Sequence, residues 1–306
     1  MPINEQNKLD CFLDNNLQKG YIVPSKSPIA SPVFFIKKKD RQLHLVQDYR
    51  KLSDYTVKNH YLLSLTSDII NQLQQARIFT KFDIQWGYNN IQIKVGDEWK
   101  AAFTTNHGLF EPQVMLFRLT NSPATFQALM NSIFADLVAA SKVAVYLDDI
   151  LIYSPSKSKH RKVTHEVLIH LAANNLYLCP EKCEFHQDKV EYLGLIICKG
   201  HVMMDPIKVN AITHWLTPRN LHNLHGFLGF ANFYHHFIKD FARLAHPPND
   251  LTKKDTAWHW DGPQVDVFYL LKMSFTQQPV LVIWDPNCPT QIEVDTSGYA
   301  TEGILL

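Results

Sequence analysis

Asp148 and Asp149 stand side by side inside KVAVYLDDILIYS (142–154), a run that is otherwise apolar and β-branched. Buried carboxylates are costly and adjacent like charges repel, so something must neutralise a pair kept here. An isolated Asp-Asp pair is ordinarily a solvated turn. These flanks, however, hold no Gly or Asn to ease a turn, and a third acid, Asp83, ends the alternating segment FTKFD. The simplest geometry is a tight hairpin with both acids at its tip, where three such acids can converge at one sheet edge. All three are oxygen donors, which selects a hard cation, Mg²⁺ or Mn²⁺. Substrate phosphates usually complete a Mg²⁺ shell, so the chemistry expected is phosphoryl or nucleotidyl transfer with two ions.

The elements that must position these acids follow from periodicity. Residues 5–19 read as a helix (Leu9, Phe12, Leu13, Leu17) stopped by Gly20, and 33–36 as a strand joined through the basic turn KKKDR to a second strand, QLHLVQDYR. Thr66 or Ser67 is placed to cap a helix carrying Ile69, Ile70 and Leu73. RIFTKFDIQWGYNNIQIKV reads as strand, turn and strand. Phe126, Leu129, Met130, Ile133, Phe134 and Leu137 form one apolar stripe on a single helix, and Val163, Val167 and Leu171 form another over 157–174. EYLGLIICKGHVMMDP makes a hairpin turning at Lys199-Gly200. This order predicts an α+β fold with helices on one face of an antiparallel sheet. Residues 206–254 read as mainly helical, with a local charge of +4, and beyond 255 come a short helix near 265–273 and strands at 280–284 and 291–295.

The totals narrow the class. With 306 residues, 46% apolar and 19% charged, the chain supports a sizeable ordered core. No apolar run reaches the roughly 18 residues of a membrane span, and MPINEQNKLDCFLDNN lacks a secretory h-region. Five cysteines without framework spacing suit a reducing, intracellular compartment. A net charge of +1 leaves any nucleic-acid surface to be local. Cys179-x3-Cys183 with His186 is poorly spaced for zinc and lacks a fourth ligand. KSKHRK (157–162) reads as a solvated helix start, and Trp258 and Trp260 as core packing.

TKFDIQWGYNNIQI, LTNSPATFQ and YLDDILIYS, in that order, resemble motifs of reverse transcriptases, most closely the polymerase of Ty3/gypsy-type long-terminal-repeat retrotransposons. SPIASPVFFIKKKD, LVQDYRKL, LYLCPEKCEF, EYLGLII and FLGFANFYHHFIKDF extend the resemblance over nearly the whole chain. It implies a right-hand polymerase of fingers, palm and thumb: 1–205 fingers and palm, 206–254 thumb, 255–306 a connection and a truncated RNase H-like start. Asp83, Asp148 and Asp149 match the catalytic metal-binding triad, and Tyr88 the aromatic residue that excludes a ribonucleotide 2′-hydroxyl. Lys38 (Lys37 or Lys39 as alternative registers) matches the lysine that meets the triphosphate, and Arg50, Phe117 and Gln127 match positions near template and nucleotide. Tyr192, Leu193 and Gly194 match the primer grip. The implied partners are an RNA or DNA template with its primer and dNTPs, with protease and integrase as polyprotein neighbours. The implied location is cytoplasmic, in a virus-like particle, or nuclear.

Departures from the family pattern give a second expectation. Arg118 stands where relatives usually have Gly, at a bend beside the nucleotide, and is expected to block the pocket or fold outward. His44 replaces an arginine that contacts triphosphate, and Leu62 and Ser64 replace turn prolines. The alternative is therefore an impaired transposon remnant that retains nucleic-acid binding. TQIEVDTSGYATEGILL resembles the opening of RNase H with Asp295 as its first acid, but lacks the remaining acids, so no RNA cleavage is expected.

Overall fold

The computed structural model describes residues 2–37, 43–277, 280–283, 292–296 and 301–305, the backbone alone at 280, 282, 292–296 and 301–305. The chain divides into two compact units: Met1–Ser64, Lys81–Ile152 and Lys162–Cys183 form the first, Leu65–Thr80, Tyr153–Arg161 and Glu184–Leu306 the second.

The first unit opens with helix Ile3–Gln18, whose Leu9 and Leu13 are buried; Gly20, at φ +68°, turns the chain out of it. The strands that follow are β1 (Ile22–Pro24), β2 (Ser31–Lys37), β3 (Leu43–Gln47), β4 (Ile78–Asp83), β5 (Phe103–Thr105), β6 (Gly108–Pro112), β7 (Val143–Tyr146) and β8 (Asp149–Ser154). Strands β4 and β8 run from one unit into the other. One sheet has the order β1-β6-β5-β2-β3, with β2 antiparallel to β3 as expected; the basic turn between them, including Lys38, lies outside the described residues. Tyr49, fully buried beneath this sheet with Phe103 and Phe110, anchors the packing by donating its hydroxyl to the Ala101 carbonyl at 2.8 Å.

The acids belong to a second sheet, in which β7 and β8 form an antiparallel hairpin beside β4. Its core gathers Phe82 and Ile84 with Phe126, Met130 and Phe134 from one helical segment and Val163, Val167 and Leu171 from another. Both expected stripes therefore face one core, which fixes the hairpin to a rigid base. The first stripe does not lie on one helix. It breaks at Phe134 (φ −108°, ψ 18°) into Ser122–Ile133 and Ala135–Ala139, and the fully buried Phe134 ring stacks on His170 at 5.8 Å. The expected strand after β4 is also absent. Trp86 turns left-handed (φ 51°), a 3₁₀ turn Gly87–Asn90 follows, and only Gln92 bridges, to Val114.

In the second unit, helix Thr66–Gln72 begins after Leu65 without the side-chain cap expected from Thr66 or Ser67. Strand β9 is Glu184–Gln187. Strands β10 (Lys189–Tyr192), β11 (Leu195–Cys198), β12 (His201–Met204) and β13 (Val280–Val282) form a sheet in that order. Its two-residue turns fall at Leu193-Gly194 and, as expected, at Lys199-Gly200. The helices Pro206–Thr213 and Leu221–Phe233 are capped by Asp205 and Asn220, whose side chains accept from Ile207 and Asn223 amides at 2.8 and 2.9 Å. Helix Gly262–Thr276 packs Phe268 on Phe227 at 4.7 Å, and Trp258 and Trp260 stack on each other beside it. Trp258 is exposed and Trp260 half-buried, so they cover the helix from outside and are not the core residues expected. Strands β14 (Ile292–Thr296) and β15 (Thr301–Leu305) pair antiparallel, with Asp295 opposite Glu302. His160, within the basic KSKHRK, is fully buried: the run is a solvated helix start at its lysines but not at its histidine. No helix among the described residues is long and apolar enough to cross a membrane.

Candidate active site

Tyr146 pairs with Asp149, so the tip of the β7–β8 hairpin is Leu147-Asp148, and Asp149 opens β8 instead of sharing the tip. Leu147 takes φ +54°, a left-handed conformation that a leucine adopts only at a cost of about 1 kcal/mol. Gln127 compensates. Its Oε1 accepts from the Leu147 amide at 2.8 Å, while Nε2 donates to the Val145 carbonyl at 3.2 Å and to Asn131 Oδ1 at 2.8 Å. Gln127 is fully buried, and both ends of its amide are spent on holding the turn and its own helix. Its place is thus behind the hairpin.

Asp83 reaches the same place from β4. The Ile84 amide donates to the Asp148 carbonyl at 3.1 Å, tying the end of one strand to the turn of the other. On the opposite side the Cys179 amide donates to the Asp83 carbonyl at 2.9 Å, and Lys182 Nζ lies 3.1 Å from both Asp83 carboxylate oxygens. Lys81 Nζ stands 3.6 Å from Asp149. Partial burial, reinforced by the charges of Asp149 and Asp83, raises the Asp148 pKa above the usual carboxylate value. Asp149 is raised too, first by burial and also by Asp83, against the opposing pull of Lys81. The three acids therefore share one electrostatic neighbourhood. Among the described residues, however, no three His, Cys, Asp or Glu groups close on a point that could hold a metal ion. The donor chemistry fits Mg²⁺ or Mn²⁺: oxygen ligands only, mutually repelling, with two ammonium groups supplying the opposite charge. Neither lysine was singled out by sequence.

Tyr88 is wedged beside the acids. Its ring meets Phe117 edge-on at 5.1 Å and Phe126 at 5.4 Å, and a Cβ on the preceding Gly87 would come within 2.9 Å of Phe126 Cζ. Burial, with help from the Asp148 charge, pushes the Tyr88 phenol up to about 12, so the hydroxyl stays protonated. A rigid aromatic wall next to a carboxylate cluster can select a small ligand by shape while the acids handle its charge.

Residues 36–197 match the family of reverse transcriptases (RNA-dependent DNA polymerases). The chain belongs to that family. It is 34% identical over 305 residues to the transposon Tf2-3 and Tf2-7 polyproteins of Schizosaccharomyces pombe, covering 100% of this chain but 23% of each polyprotein. The fold is the polymerase fold: a foamy viral protease-reverse transcriptase in complex with double-stranded DNA superposes with TM-score 0.84 at 21% identity, over 93% of this chain and 50% of that one. The foamy viral protein in complex with an RNA/DNA hybrid gives 0.83 at 20% identity, over 97% and 40%.

In this reverse transcriptase chain the other expected residues take varied places. Arg50 is exposed and chelated by Asp48 (2.6 Å), and its guanidinium holds the Asp48 carboxyl down at about 2. Arg118, at φ +73°, needs the backbone that glycine adopts freely, and its exposed guanidinium lies over the Phe34 ring at 5.8 Å. His44 has its Nε2 buried without a hydrogen-bond partner among the described residues. Tyr192, Leu193 and Gly194 form the β10–β11 turn in the second unit. There Leu193 and Gly194 take φ +51° and +76°, and Tyr234 donates its hydroxyl to the Gly194 carbonyl at 2.9 Å.

Proposed function

We propose that the chain is an RNA-directed DNA polymerase of retrotransposon origin, adding dNTPs to a primer 3′-hydroxyl on an RNA or DNA template. The observation carrying this reading is the backbone hydrogen bond from Ile84 to Asp148, which brings Asp83 beside the Asp148-Asp149 hairpin. Mg²⁺, or Mn²⁺, would be held by Asp83, Asp148 and Asp149 and would supply activation of the attacking hydroxyl and neutralisation of the leaving pyrophosphate. The chain's own residues do the positioning. Gln127 locks the turn that carries Asp148, and Tyr88, backed by Phe126 and edged by Phe117, stands against the sugar so that a 2′-hydroxyl clashes. Arg50, Phe117 and Lys38 are read as nucleotide and template contacts. The turn Tyr192–Gly194 is read as the primer grip and the helices of 206–254 as a thumb along the duplex. The hairpin of β14 and β15 is read as the start of an RNase H-like region.

Primer extension on poly(rA)/oligo(dT) with Mg²⁺ tests the reading. Incorporation by the parent that disappears in Asp148→Asn supports it. Absence of incorporation in both, with template–primer still bound, favours an impaired remnant that retains nucleic-acid binding.

A further inference from the structure

The side of Asp83 that faces solvent is closed by a lysine. Lys182 Nζ sits 3.1 Å from each carboxylate oxygen, astride the fork that a cation would take. The loop carrying it is built onto the backbone of Asp83 itself. The Cys179 amide donates to the Asp83 carbonyl at 2.9 Å, and the 3₁₀ turn Pro180–Lys182 follows immediately. The Lys182 amide returns to the Cys179 carbonyl at 3.0 Å, which also accepts from Cys183 Sγ at 3.2 Å. Burial is unequal across the pair, with the Lys182 side chain 63% exposed and that of Asp83 19%. The ammonium therefore covers a shielded carboxylate from outside and can swing into water at little cost.

We propose that Lys182 is a tethered counter-ion that holds Asp83 before metal arrives and must release it when a divalent cation enters. The inference rests on the reading of Asp83, Asp148 and Asp149 as the metal-binding trio. Magnesium binds carboxylate oxygens at about 2.0–2.1 Å, and an ammonium that spans both oxygens of the fork occupies that approach and repels the ion. Ammonium and metal thus compete for one position. With Lys182 in place, Asp83 is turned to it, in keeping with no three ligands closing on one point among the described residues. The lysine keeps the cluster neutralised without metal, and the triad is assembled only as the lysine leaves.

The test is Mn²⁺ affinity of the whole chain without nucleotide, read from loss of the free aqueous Mn²⁺ EPR signal, with melting curves to verify folding. Lys182→Met removes the competitor and should tighten Mn²⁺ about two- to fivefold, the range of a mostly exposed ion pair. Lys182→Gln serves if the methionine variant does not fold. Lys182→Arg keeps the charge and can grip the fork with two donors, so it should bind Mn²⁺ as weakly as the parent or more weakly. Unchanged or weaker binding in Lys182→Met, with binding still lost in Asp83→Asn, overturns the counter-ion role and leaves the metal trio standing. No Mn²⁺ binding by the folded parent and the folded Lys182 variants overturns both.

Discussion

The Leu147 amide, held at φ +54°, donates to the Gln127 side-chain oxygen at 2.8 Å. A left-handed leucine between two β-strands persists only where its surroundings over-determine it, and Gln127 is fully buried to do so. Gln127→Ala leaves that amide without its partner and opens a hole behind the hairpin. Urea or thermal melts should record a loss of about 2 kcal/mol, the cost of an unmade buried hydrogen bond. Primer extension should fall as well, because the turn carrying Asp148 loosens. An unchanged melt would show that the strands alone hold the turn.

Gly87 gives a second expectation from close approach. An alanine Cβ would lie 2.9 Å from Phe126 Cζ and 3.2 Å from Cε1, against a ring with no exposed surface. Gly87→Ala should destabilise the fold by roughly 1–3 kcal/mol through overpacking. The double variant with Phe126→Leu should recover part of that loss. Purely additive effects in the cycle would mean that the methyl finds another way out.

The proposed sugar gate makes a kinetic prediction. Tyr88 is backed by the fully buried Phe126 at 5.4 Å and met edge-on by the exposed Phe117 at 5.1 Å, so its ring has little room to retreat from an extra hydroxyl on the Phe126 side. Tyr88→Ala should lower the preference for dNTP over rNTP by roughly ten- to a hundredfold, measured as the ratio of kcat/KM values. Discrimination that stays at the parent level would remove Tyr88 from that role.

How much of this could be read from sequence depends on distance along the chain. The acidic pair announces itself locally, as charge inside an apolar run, and the Lys199-Gly200 turn does so by its glycine at φ +73°. Lys182 gives no local signal: its partner Asp83 is 99 residues away, and only the fold makes them neighbours. Gln127 looks like any polar residue within a helix until the hairpin 20 residues later is laid against it. The helix break at Phe134 has no Gly or Pro to mark it, and tertiary packing of the ring decides it. His160 was legible but masked by its basic neighbours. It falls three, seven and eleven positions before the buried Val163, Val167 and Leu171, on the same helical face.

That buried histidine predicts a pH effect. The Thr80 hydroxyl accepts from the His186 amide at 3.0 Å, which leaves its proton for His160 Nε2 at 2.8 Å and favours a neutral ring. Burial, with the His186 ring 5.1 Å away, lowers the His160 pKa to about 4. Unfolded, the same group titrates near 6.5. Between those values the unfolded chain binds more protons, so stability is complete above pH 6.5 and falls as pH drops towards 4. The stake is on the order of 3 kcal/mol. Urea midpoints at pH 7.5 and 5 should differ in the parent, and by less in His160→Gln, which cannot take up the proton; an equal difference in both would remove His160 from the effect.

Arg118 separates two costs that a single substitution would mix. Its φ of +73° favours glycine, while its guanidinium gains a contact over the Phe34 ring at 5.8 Å. Arg118→Ala and Arg118→Gly both delete the guanidinium, so the difference between them isolates the backbone. Glycine should be the more stable by about 1 kcal/mol, since alanine keeps the Cβ that the left-handed region penalises. Each should be compared with the parent in primer extension. Because the guanidinium is exposed and engaged by the Phe34 ring, neither variant should change nucleotide KM by more than about twofold, well under the 1.4 kcal/mol that marks a tenfold effect. A large fall in KM on removing the arginine would place it in the nucleotide's path and explain an impaired parent enzyme.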